Sequence, residues 1–158
     1  NNMSDIGPQP ERRSKEEIVE EIYKNKEPVP GYEKSENYSG FILKYGSKNL
    51  KLMFEKKSLR VSAYIENTAE DQKLENETTL LYKAAKKTIQ GWAEKVESTV
   101  TYQFTTQNEN LKKWALDPEK GAKVFSWDSV REYGENEQEG LRGRLSLTKR
   151  FEPTNEQK

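Results

Sequence analysis

Arg142, Arg144 and Arg150 fall at one parity of the stretch GLRGRLSLTKRF (residues 140–151), while Leu141, Leu145 and Leu147 fall at the other. Alternate residues of a strand point to opposite faces, so such arginines would stand in a row. A row of guanidinium groups can hold carboxylates or phosphates through paired hydrogen bonds. The same spacing also describes a strand whose charges keep its outer side from pairing with another chain. A second basic group lies within 44–60, where Lys44, Lys48, Lys51, Lys56, Lys57 and Arg60 are accompanied by Glu55 alone. Lys44, Lys51 and Arg60 are expected to share one sheet face with Met53 and Tyr64. Cations beside a flat ring form the kind of platform that neutralises phosphates and stacks bases of a single strand. The candidate binding residues are therefore Lys44, Lys51, Arg60, Tyr64, Arg142, Arg144 and Arg150.

Other chemistries are limited by what the chain lacks. It contains neither histidine nor cysteine, which removes Ser–His and Cys–His nucleophiles, thiolate metal sites and His-ligated zinc. Asp128, Glu132 and the alternating Glu135, Glu137 and Glu139 are of a type that binds hard cations or works as a carboxylate pair. Their spacing does not match a calcium-binding loop, and they read better as a solvated turn. Phosphate-cradling glycine loops are absent. No catalytic residue, metal or cofactor is expected, and the sequence leans away from an enzyme. Trp114, flanked by Lys112 and Lys113, is placed to close the mouth of a cavity between sheet and helix.

Positioning these side chains requires regular elements. Ser14-Lys-Glu-Glu17 forms a capping box ahead of Ile18, Val19, Ile22 and Tyr23, which predicts a short amphipathic helix over 14–25. Phe41, Leu43 and Tyr45, then Leu50, Leu52 and Phe54, then Leu59, Val61, Ala63 and Ile65 alternate with polar residues across short connections. That pattern predicts a three-stranded antiparallel meander. Residues 66–77 read as an acidic loop. A long helix is expected over 78–98, capped by Asn76 or Thr78, with Leu81, Ala85, Ile89, Trp92 and Val96 as its apolar stripe. Gly91 inside it suggests close packing or a kink. Val100–Phe104, 122–133 and 140–151 complete the set as strands, with a helical turn at 111–115.

The expected fold is thus α+β: a curved antiparallel sheet of about six strands packed around one long central helix, with a short N-terminal helix. Residues 1–13 read as a disordered arm, 14–151 as a single domain, and 152–158 as a disordered tail. Charge balances at 27 basic against 27 acidic residues, so no bulk basic field draws the chain to nucleic acid or anionic lipid. Acidic residues nevertheless collect at 66–77 and 132–139, basic ones at 44–60 and 142–150. The favoured reading is a non-enzymatic binding or adaptor domain engaging a protein partner through segregated charged surfaces. The alternatives are single-stranded nucleic acid on the basic sheet face, and an enzyme or small-ligand binder using a carboxylate/Tyr/Lys pocket between sheet and helix. No apolar run is long enough to span a membrane, and the lack of cysteine leans towards an intracellular setting.

Overall fold

Period-two patterning over 38–67 produces three strands in register: β2 (Tyr38–Tyr45), β3 (Lys48–Glu55) and β4 (Arg60–Asn67). Leu43 lies opposite Leu50 and Leu50 opposite Ile65, so the apolar side chains meet on one face. The computed structural model describes residues 13–67 and 74–154. Before the meander come α1 (Lys15–Lys24) and the two-residue β1 (Glu27–Pro28); after it come α2 (Leu74–Val96), β5 (Val100–Thr106), α3 (Glu109–Leu116), α4 (Gly121–Phe125), β6 (Ser129–Glu132) and β7 (Leu145–Phe151). The strands form one open α+β sheet in the order β1-β2-β3-β4-β5-β7-β6. Every neighbouring pair is antiparallel except β4 and β5, which run parallel over Arg60–Ser62 and Thr101–Gln103. Parallel neighbours need a long crossover, and α2 supplies it.

The helices lie together on the apolar side of the sheet. Ser14 caps α1 by accepting the Glu17 amide, while the Glu17 carboxylate takes the Ser14 amide in return. Ile18, Val19 and Ile22 are buried where α1 packs on α2, and each contributes roughly 1.5–3 kcal/mol. Trp92 of α2 stacks on Phe41 and Phe54 of the meander. Farther along, Tyr82, Tyr102, Phe104, Trp114, Phe125 and Trp127 form a second aromatic group. Both indoles in it are satisfied: Trp114 donates to the Thr79 hydroxyl and Trp127 to the Ala115 carbonyl, each at 2.9 Å. The Tyr102 hydroxyl is buried in this group beside the Tyr82 phenol.

Several expectations are corrected. The long helix begins at Leu74, so Asn76 and Thr78 lie within it instead of capping it, and most of the loop expected at 66–77 is helix or lies outside the described residues. The strand expected over 122–133 is divided. Lys120 and Asp117 carbonyls accept the Val124 and Ala122 amides, which winds 121–125 into α4, and Ser126 ends it in a left-handed conformation. A turn that buries both Val124 and Phe125 suits this segment better than an alternating strand. The last strand starts only at Leu145. Leu141 and Arg142 donate back to the Gln138 carbonyl, and Gly143 takes a φ of +74°, which extended backbone does not allow. The sheet is mostly rather than wholly antiparallel, and it stays open.

The expected arm at 1–13 lies outside the described residues except Arg13, which pairs with Glu21. Of the expected tail, residues 155–158 lie outside them too. The preceding residues are held against α2: Gln90 donates to the Glu152 carbonyl at 2.8 Å, and the Glu94 carboxylate accepts the Thr154 amide and hydroxyl.

Candidate binding surface

The face of the sheet turned away from the helices is the surface that the sequence singled out. Register determines what stands there. Glu55, Arg60, Thr101 and Arg150 lie side by side on β3, β4, β5 and β7. Adjacent strands are about 4.8 Å apart, so Arg60 and Arg150 flank Thr101 at about 10 Å from each other. The next row is Met53, Ser62, Gln103, Thr148 and Ser129. Lys51 lies beside Tyr64, and Arg131 beside Ser146. Lys44, Lys51, Arg60, Tyr64 and Arg150 thus share one face.

Its electrostatics are uneven. Lys44 is paired with Glu27 at 3.0 Å, and Lys51 reaches Glu66 at 4.0 Å. By contrast, Arg60, Arg150 and Arg131 make no ion pair among the described residues; Arg131 lies over the Tyr133 ring at 4.3 Å. The basic side chains of this face that make no ion pair are therefore arginines at the β4–β5–β7–β6 end, with Glu55 beside Arg60 in the cross-strand row. Tyr64 is 58% exposed and Tyr38 42%. One corner is covered. Val29 donates to the Gly40 carbonyl, and the Tyr32 hydroxyl touches the Met53 sulfur at 3.7 Å. Gly40 permits this approach, since a Cβ there would stand 2.9 Å from the Leu52 carbonyl oxygen and 3.1 Å from Val29.

Arg142 and Arg144 do not join this surface. Arg142 donates through Nε to the Glu137 carbonyl at 2.9 Å, and Arg144 through Nη2 to the Gly140 carbonyl at 3.3 Å. Lys112 reaches the same loop, donating to the Gly143 carbonyl at 2.6 Å and pairing with Glu109. These cations tie down the backbone of 137–144. The acidic loop thus meets both arginines with its carbonyls. Among the described residues no three carboxylates converge on a common point.

Trp114 is buried, packs on Tyr82 at 4.7 Å and lines neither of the clefts on the helix side. Aromatic side chains pack between sheet and α2. Two clefts instead open on the helix side, along the outer stripe of α2, and Lys86 lines both. Lys149 lines one of them. Sequence reasoning passed over both lysines, because they are 63 positions apart and no local spacing connects them. Among the described residues no helix is long and apolar enough to cross a membrane. No family model, no curated protein and no solved structure matches this chain.

Proposed function

We propose that the protein is a non-enzymatic binding domain whose open sheet face docks an acidic surface of another protein. The observation that carries this reading is the composition of the face. It offers exposed Tyr64 and Tyr38, half-buried Met53, and arginines 60, 131 and 150 without ion-pair partners. Tyrosine, methionine and arginine are enriched in protein interfaces, and tyrosine and arginine supply much of the binding energy there. Lysine, the other source of a phosphate-attracting field, is largely neutralised by Glu27 and Glu66. That balance favours a protein partner over a nucleic acid strand, whose affinity depends on many uncompensated cations.

The test is a photo-crosslinking residue at position 64, with one at Lys95 on the opposite side as control, followed by mass spectrometry from the native host. An acidic protein captured at 64 but not at 95, and lost in the variant Arg60→Ala/Arg150→Ala, supports the reading. Capture that survives that double substitution overturns it. So does tight binding of a single-stranded oligonucleotide whose log affinity falls linearly with log salt.

A further inference from the structure

The outer stripe of α2 forms the floor of a groove. On one side α1 contributes Tyr23; on the other, the turn after α4 and the end of β7 contribute Ser126, Lys149 and Phe151. One lobe, of about 480 Å³, lies towards β7, and the other, of about 400 Å³, lies towards α1. Lys86 and Gln90 line both, so the two lie on either side of this row of α2. Each is in the size range of small-molecule sites.

Two independent features of this groove point to a ligand. The first is its charge. Lys86 has no hydrogen bond or ion pair with any described residue, and the charges acting on it are Lys149 and Lys83, both of its own sign. Partial burial and those neighbours hold its pKa below the usual lysine value. The Lys149 ammonium reaches only the Ser126 carbonyl, at 3.4 Å. The carboxylates of two nearby wall residues are engaged elsewhere: Asp128 accepts the Arg150 amide at 2.7 Å, and Glu94 takes Gln90 and Thr154. Two ammonium groups therefore line one cleft, and neither makes an ion pair with a described residue, although the Asp128 and Glu152 carboxylates stand in the same wall.

The second feature is Gly91. A glycine in a helix interior costs about 1 kcal/mol relative to alanine, yet packing does not demand one here. A Cβ at this position would meet a single atom within 4 Å, the Tyr23 hydroxyl at 3.8 Å. What its missing side chain leaves is open space in the lobe beside α1.

We infer that this groove binds a small phosphate monoester, its phosphoryl group between Lys86 and Lys149 and its organic part lying over Gly91 against Tyr23. A dianion matches two ammonium groups better than a single carboxylate does. The Asp128 and Glu152 carboxylates at the rim disfavour a longer polyanion. This site lies on the helix side and does not depend on the proposed docking face.

The test is a titration of the full chain with inorganic phosphate and with phenyl phosphate, at constant ionic strength set by chloride. Lysine ammonium resonances report binding. Saturable shifts at Lys86 and Lys149 are expected. Lys86→Gln and Lys149→Gln should each weaken both ligands about tenfold, the effect of losing one charged hydrogen bond, while Lys83→Gln changes them less than about twofold. Gly91→Leu should weaken phenyl phosphate and leave inorganic phosphate unchanged. Shifts that never saturate, or phosphate binding unaltered in Lys86→Gln, overturn the site. Phenyl phosphate binding unaltered in Gly91→Leu overturns the orientation.

Discussion

Replacing Gly91 by alanine tests the description of the α2 surface independently of any ligand. The glycine is five residues from the end of a 23-residue helix. Its added Cβ would make one ordinary contact, with the Tyr23 hydroxyl. Nothing has to move, so the full propensity difference of about 0.8–1.0 kcal/mol should appear as added stability, part of it through a less disordered unfolded chain. For a chain of this length that is a rise in Tm of roughly 2–4 °C. Gly121 provides the opposite case. There a Cβ would stand 2.6 Å from the Ala115 Cα and 2.8 Å from the Trp114 carbonyl oxygen, and backbone cannot yield as a side chain would. Gly121→Ala should therefore lose about 1–3 kcal/mol or more. Urea unfolding followed by circular dichroism and by tryptophan fluorescence measures both. A destabilised Gly91→Ala, or an unaffected Gly121→Ala, would refute the packing described for α2 and α4.

Two further outcomes follow from the core and the loop. Tyr82 and Tyr102 are fully buried, and burial raises both phenol pKa values above 10; the unfolded chain then sheds these protons first as pH rises. The contribution of these two phenols to stability should be flat below pH 10 and fall above it, by up to about tenfold in folding constant per group and pH unit, read as the difference in urea midpoints between the wild type and the double variant with phenylalanine from pH 8 to 12. Lys112→Met removes the ammonium that holds the Gly143 carbonyl and should cost about 1.5–3 kcal/mol, with faster amide exchange across 140–144; unchanged exchange there would mean that the loop is held by other contacts.

The parity of 41–65 was legible because three short strands with brief turns leave the apolar residues no other common face. The helix at 15–24 was legible because the capping box is a local, reciprocal pair of bonds. Lys44, Lys51, Arg60 and Tyr64 followed from that parity, and Arg150 from the alternation of 145–151. Arg142 and Arg144 did not, because the positive φ of Gly143 and two turns to Gln138 break the alternation just ahead of Leu145. The helical 121–125 was hidden for a different reason. Phe125 and Val124 are both buried against partners distant in sequence, and five residues are too few to show a helical period. The Lys86–Lys149 cleft depends wholly on tertiary placement, which leaves no trace in spacing.

The parallel contact between β4 and β5 has a mechanical consequence. Only three residues on each strand are in register there, against eight between β2 and β3 and seven between β5 and β7. The sheet is two antiparallel halves joined by a short seam, with α2 lying across it as a splint. Each half can assemble from near neighbours, but the seam waits for the crossover to dock, a slow kind of step in folding. Under load or brief opening, the amides of 60–62 and 101–103 are where the sheet should part first.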